Sequence, residues 1–192
     1  MRPSTLLCLS AILATAPLAA AAGDLVVTVD PAATRTTFVL RATLHKAEGR
    51  VPLTSGEIRF DPATGRASGK LVFDATKATT DNEGRDEKMH AEVLESAKYP
   101  EFVFVLEKVE GPFNNTGVSK LKLIGTITIH GASHPLTVPL DVQASGSTVT
   151  VKGAFQIPYV AWGMKDPSMF VVRAAKAVDV TVESAGAVAL AP

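Results

Sequence analysis

The side chains here whose chemistry matters first are four histidines, an arginine close to an asparagine, and a single tryptophan. The histidines are His45, His90, His130 and His134. Imidazole is a common zinc ligand, and three such rings can hold the ion with one position open. The spacing argues against it: His130 and His134 flank Gly131-Ala132-Ser133, a strand turn, and nothing in that stretch makes their rings converge. No metal ion is expected. His45 and His90, with Arg85, are candidates for general acid–base chemistry, yet no serine elbow, paired-carboxylate motif or nucleophile stands beside them. No catalytic residue is assigned, and no cofactor is expected.

Arg85 offers fixed donors that suit a phosphate, carbonyl or hydroxyl head group. Asn82 and the backbone amides of a helix beginning there could assist it. The alternative is structural: Arg85 pairs with Asp81 or Asp86, and Asn82 caps the helix. Trp162, in Tyr159-Val160-Ala161-Trp162-Gly163-Met164, suits either a gate at a cavity mouth or a plug at the end of a barrel. The apolar side chains that could line an interior are Phe38, Leu40, Phe60, Phe73, Phe102 and Phe104.

The elements that must position these residues are mostly strands, because apolar residues recur with period two along nearly the whole chain. Over 36–44, Phe38, Leu40, Ala42 and Leu44 share a face. Ile58 and Phe60 lead into Asp61-Pro62-Ala63-Thr64-Gly65, a turn sequence, and Leu71 and Phe73 resume the alternation on the returning strand. Phe102, Phe104 and Leu106 alternate with Val103 and Val105, which predicts a strand between two apolar environments. Leu121 and Leu123 oppose Lys120 and Lys122, and Gly125 marks a bulge or bend. Asn114-Asn115-Thr116 matches a glycosylation sequon but reads better as part of a turn. Further strands are expected over 135–144, 147–157 and roughly 169–182. One segment departs from the pattern. Over 85–97, Met89, Val93, Leu94 and Ala97 fall at helical spacing, predicting a short amphipathic helix that ends before Tyr99-Pro100. Strands with hairpin links and one helix predict an all-β fold closed into an antiparallel barrel, with an open sandwich as the alternative.

Residues 1–22 combine Arg2, an apolar run from Leu6 and Ala19-Ala20-Ala21-Ala22, the layout of a cleavable secretory signal with cleavage near Ala22-Gly23. The reading is export to the periplasm or beyond a bacterial cell. The apolar run is short of the roughly 20 residues that span a bilayer, so no integral membrane protein is expected. The one cysteine, Cys8, lies inside this leader, which leaves no thiolate for the remaining chain. Nineteen basic residues balance 19 acidic ones, so no basic field for nucleic acid is present. One domain is expected over 23–184, followed by an Ala/Gly-rich flexible tail over 185–192.

The stretch from Thr79 to His90, Thr79-Thr80-Asp81-Asn82-Glu83-Gly84-Arg85-Asp86-Glu87-Lys88-Met89-His90, resembles the YceI family, in which Thr and Asn shortly precede an Arg-Asp pair that opens a helix. Ser96-Ala97-Lys98-Tyr99-Pro100-Glu101-Phe102-Val103-Phe104 is similar to the family's Tyr-Pro strand start, and Gly125-Thr126-Ile127-Thr128-Ile129-His130-Gly131 to its second strand signature. His45, Gly49 and the segment 56–61 resemble its opening hairpin. Trp162-Gly163-Met164-Lys165-Asp166-Pro167-Ser168 resembles a variant closing loop that departs from the Arg and aromatic-Gly pattern of lipid-binding members. The ordered set spans most of the chain after the leader. The resemblance implies an eight-stranded, lipocalin-like antiparallel barrel with a helical insertion, carrying an isoprenoid, quinone or fatty-acid-like lipid in its interior. Two other readings stay open: an enzyme acting on a lipid or stress-derived small molecule through His45, His90 and Arg85, or a solid barrel whose surface binds a partner or a second copy in a homodimer.

Overall fold

The computed structural model describes residues 24–114, 116–169 and 171–190. The secretory-signal expectation, and Asn115 of the sequon, lie outside them. Ten strands form one antiparallel sheet: β1 (Leu25–Val29), β2 (Arg35–Arg41), β3 (Lys46–Arg50), β4 (Leu53–Phe60), β5 (Arg66–Asp74), β6 (Glu101–Glu110), β7 (Thr116–Ile129), β8 (Ala132–Ser145), β9 (Thr148–Ile157) and β10 (Val178–Leu190). Their order is β1-β4-β5-β6-β7-β8-β9-β10-β2-β3, and β1 also pairs with β10, closing an eight-stranded barrel. The two extra strands are halves. Val29 lies opposite Gly186 and Arg35 opposite Glu183, so β1 and β2 run along β10 as one strand interrupted at 30–34. β3 and β4 likewise form one strand broken at Val51-Pro52.

The longest strands show why the sequence closes this way. On β8, Leu136, Val138, Leu140, Val142 and Ala144 are buried while Pro135, Thr137, Pro139, Asp141 and Gln143 are exposed, a strict inside–outside alternation that fixes register. On β7, Ser119, Leu121, Leu123, Ile127 and Ile129 are buried against exposed Lys120 and Lys122. The bulge at Gly125 falls on its neighbour: Leu106 pairs with Gly125 and Lys108 with Ile124, leaving Glu107 over. A Cβ on Gly125 would come within 2.1 Å of the Val105 carbonyl oxygen, so no larger residue fits this approach. β8 and β9 pair only from Leu140–Gly153 downward. Above that point β8 carries Pro135 and Pro139, residues with no N–H to give a second neighbour.

Four expectations are corrected. Val105 is 45 % exposed, so the outer face of β6 looks to solvent and the strand has one apolar environment. Met169 and residues 171–177 carry isolated bridges and no strand, and the strand expected from 169 begins at Val178. The expected tail over 185–192 is strand through Leu190, because β1 and β9 pair with it on both sides and override the weak strand preference of Ala and Gly. The helix, expected over 85–97, is α1 (Glu83–Lys88) continued by a π-helical turn (Met89–Val93), whose wider spacing is marked by Leu94 N–H donating to the Met89 carbonyl at 2.8 Å. Ala97 is exposed beyond its end. No helix among the described residues is long and apolar enough to cross a membrane.

The interior divides into two storeys. One half is filled by Phe60, Phe104, Leu106, Val109, Leu121, Leu123, Leu136, Val138 and Leu140, among others, with Phe113 set edge-on to Phe60 at 5.8 Å. The other half is lined by a second cluster including Phe102, Ile129, Ile157, Tyr159, Met164 and Val180. Trp162 packs against both.

Candidate functional site

The second half is hollow. A cavity of about 1010 Å³ lies inside the barrel beneath the helical insertion. Phe38 and Leu40 of β2, Phe73 of β5 and Phe102 of β6 face it. Ile129 of β7, Ile157 of β9 and Val180 of β10 complete the wall. Met89, Val93 and Leu94 roof it, three of the four residues in the helical stripe. Gly49 on β3 lets Phe38 lie across the wall, since a Cβ there would stand 2.3 Å from the Phe38 ring. Phe60 and Phe104 belong to the filled half and do not line this space. Their alternation marks them as inward-facing, but whether the inside is empty at that height depends on neighbours from other strands.

Polar groups gather at the mouth. Arg85 lines the cavity, held from behind: its Nε donates to Thr80 Oγ1 at 2.7 Å and its Nη2 to the Thr80 carbonyl at 2.9 Å. Neither Asp81 nor Asp86 pairs with it. Asp81, in the left-handed region at φ 56°, takes both Nη groups of Arg50 at 2.6 and 2.8 Å, and that guanidinium holds its carboxyl below the usual range. Asp86 accepts from Thr79 Oγ1 at 2.7 Å, the Thr80 amide at 2.8 Å and the Thr80 hydroxyl. Burial opposes its charge, but the bonds from Thr80 and Thr79 outweigh burial and hold the Asp86 carboxyl below its ordinary value. Arg85, Thr80 and Asp86 thus form a fixed relay that aims a cation at the cavity. Thr80, only 7 % exposed, is the residue sequence reasoning missed; its place inside the Thr79-to-His90 motif was the available signal.

Asn82 caps the helix, its Oδ1 accepting from the Arg85 amide at 3.0 Å. It is exposed and outside the cavity lining, and one amide at the helix start is already used by this cap. His90 is likewise occupied: Nε2 meets the Ala78 carbonyl and Nδ1 meets Ser96 Oγ, both at 2.9 Å. A carbonyl only accepts, so in the neutral ring Nε2 carries the proton and Nδ1 takes the Ser96 hydrogen. His90 does not line the cavity, whereas His45 does, at its rim. His45, His90 and Arg85 are therefore not brought to one point.

The other two histidines serve different contacts. His130 pairs with Glu95 and lies 4.7 Å from the Tyr99 ring, tying the end of the insertion to the β7–β8 turn. His134 stacks on Trp162 with centroids 4.3 Å apart and planes 1° from parallel, its Nε2 buried without a protein partner. Trp162 does not line the cavity; it fills the barrel beside it. Among the described residues no group of three or more His, Cys, Asp or Glu converges as a metal site.

The closing loop is braced at several points. Lys165 reaches Glu92 on the helical insertion at 2.6 Å, across the mouth that both residues line. That ammonium holds the Glu92 carboxyl below its ordinary value. Asp166 pairs with Lys176 and accepts from the Ser168 hydroxyl at 2.7 Å and amide at 3.0 Å, and these bonds, Lys176 first, bring its pKa down to about 2. Tyr159 donates to the Ala175 carbonyl at 2.8 Å; burial, then the nearby Asp166 charge, pushes it up to about 12.

A closed antiparallel barrel, filled at one end and hollow under a helical insertion at the other, defines a calyx-type barrel. A sequence profile of the YceI-like domain matches residues 27–185, and the chain belongs to that family. It is similar to the UPF0312 protein VPA0850 of Vibrio parahaemolyticus, 27 % identical over 134 residues, covering 68 % of this chain and 69 % of that one. Among solved structures it resembles BcnA of Burkholderia cenocepacia, with TM-score 0.69 and 22 % identity over 82 % of this chain and 98 % of that one. It also resembles a polyisoprenoid binding domain from Saccharophagus degradans implicated in plant cell wall breakdown, with TM-score 0.63 and 17 % identity over 86 % of this chain and 98 % of that one. These two likenesses establish the barrel.

Proposed function

We propose that the protein is a binding protein that takes one long apolar, isoprenoid-type molecule into its barrel. The observation that carries this is the cavity: about 1010 Å³ walled by Phe, Leu, Ile and Val, with its cations at the mouth. At about 30 Å³ per water-sized group, that volume holds about thirty non-hydrogen atoms, or about six isoprene units. Each five-carbon unit buried is worth up to about 4 kcal/mol gross, so a few units suffice, and further length slows release more than it adds affinity. Arg85, fixed by Thr80, contacts an oxygen-bearing head group, and Asn82 acts through it by capping the turn that places it. The relation to a polyisoprenoid binding domain supports the lipid class. A binding role fits better than catalysis, because both ring nitrogens of His90 are engaged in structural contacts. The leader-like residues 1–22 support export, with the protein acting outside the cytoplasm.

The test is native mass spectrometry of purified protein, with organic extraction of whatever it carries. A retained apolar ligand, lost when Val180→Trp fills the cavity of the folded barrel, is expected. Protein that carries nothing, and takes up no isoprenoid offered to it, would refute the reading.

A further inference from the structure

Among the described residues, five large apolar side chains stand well out in solvent, and three of them share one place. Leu44, at the tip of the β2–β3 hairpin, is 75 % exposed; Val171 and Met169, on the closing loop, are 79 % and 61 % exposed. The two tips are joined. The Thr43 amide donates to the Arg173 carbonyl at 3.0 Å, the Arg173 amide donates to Thr43 Oγ1 at 3.2 Å, and Ala42 bridges Ala174. They stand at the cavity mouth, because Met169, Val172, Ala174, Ala42 and His45 all line it. At the filled end the exposed large apolar side chain is Val118 alone among the described residues.

Charge on the tips has one sign. Residues 41–46 carry Arg41 and Lys46, residues 167–174 carry Arg173, and neither stretch contains Asp or Glu. Arg41 pairs with Asp179 on the neighbouring β10 and Lys46 with Glu48 on its own strand, while Arg173 has no ion-pair partner among the described residues. Acids also line the mouth, at Glu87, Glu92 and Asp166, but Glu92 is paired with Lys165 and Asp166 with Lys176. Apolar side chains projecting among the cations of the two tips match the boundary of an anionic bilayer, where apolar groups enter the acyl region and cations stay among the head groups.

We infer that this rim docks on an anionic lipid bilayer and holds the open cavity against it, so that the ligand passes between membrane and barrel without crossing water. The inference rests on the lipid-binding reading for what passes, and on the rim alone for the docking. The test is flotation of the full chain with vesicles of phosphatidylcholine alone and of phosphatidylcholine mixed with phosphatidylglycerol. The wild type floats with the mixed vesicles. Leu44→Asp combined with Val171→Asp, at two exposed positions, lowers that partition by about tenfold, about 1.4 kcal/mol. Arg173→Gln lowers it less and weakens its salt dependence. The double variant keeps its retained ligand in native mass spectrometry yet exchanges it with vesicles more slowly. Flotation of a chain that retains no ligand would sink the cavity reading and leave the docking rim standing. Equal flotation of wild type and double variant would overturn the docking rim. So would a wild-type dimer that does not float and that the double variant converts to monomer.

Discussion

Phe102 and Phe104 are two residues apart on β6, point the same way, and are 8 % and 5 % exposed. By burial alone their loss should cost the same. By surroundings it should not, because Phe104 is enclosed in the filled storey while Phe102 faces the cavity. Replacing Phe104 with Ala removes a side chain from dense packing and leaves a hole, at a cost of about 3–5 kcal/mol. Replacing Phe102 with Ala enlarges a space that already exists. Fewer neighbouring atoms lose contact, and the cost falls toward the transfer free energy alone, about 1.5–3 kcal/mol. With about 2–4 °C per kcal/mol for a domain of this size, Phe104→Ala should lower Tm by about 6–20 °C and Phe102→Ala by about half as much. Urea unfolding of ligand-stripped protein gives the free energies directly. Adding an isoprenoid should then separate the pair in the opposite sense, since Phe102→Ala loses ligand contact and gains less in Tm on loading. Equal costs in the stripped protein would refute the reasoning, because they would mean that the upper storey is closed up in water.

Arg85→Ala should reduce retention of a ligand with an oxygen-bearing head group while leaving a pure hydrocarbon chain bound; unchanged retention of the former, with the fold intact by circular dichroism, would remove Arg85 from the site. Lys165→Met cuts the strap to Glu92, so ligand release, followed by stopped-flow transfer to vesicles, should become several-fold faster, with Glu92→Gln giving the same change. The closing loop should weaken at both pH extremes. The Asp166 pKa is depressed from 3.8 to about 2, so its contribution is present above about pH 4 and lost as pH falls through about 2. The Tyr159 pKa is raised from 10.0 to about 12, so its contribution is complete below pH 10 and lost as pH rises through about 12. With two tyrosines in the chain, absorbance titration of Tyr99→Phe isolates Tyr159, and ionisation near 10 with no fall in Tm would contradict its buried bond.

What the sequence made legible was whatever depends on near neighbours in the chain. The alternation of β7 and β8, the 61–65 turn and the helical stripe of Met89, Val93 and Leu94 were readable because each is decided within a few residues. The misreadings have non-local causes. The segment after Ala185 looked like a loose tail because Ala and Gly favour strands weakly, yet two neighbouring strands supply its ladder. Phe60 and Phe104 carry the same pattern as Phe38 and Phe102, and only the neighbours that other strands bring to each height separate the filled end from the hollow one. Arg85 lines the cavity, but its partner is Thr80 rather than either aspartate, because Asp81 is taken by Arg50 from a distant strand. His90 is fixed by Ala78 and Ser96, and Trp162 by His134, contacts that no spacing rule foretells.

The filled storey also does something the cavity walls cannot. Ile127 belongs to it and also lines the cavity, so the filled storey closes that space from below. On the binding proposed above, a chain threaded tail-first would go no further than this floor, and its length would decide where its head group comes to rest. A shorter chain would then draw its head group away from the Arg85 guanidinium, and a longer one would push it out of the mouth. The barrel floor would thereby work as a ruler, and trimming it with Ile127→Ala should lengthen the preferred ligand by about three carbons, less than one isoprene unit, rather than abolish binding.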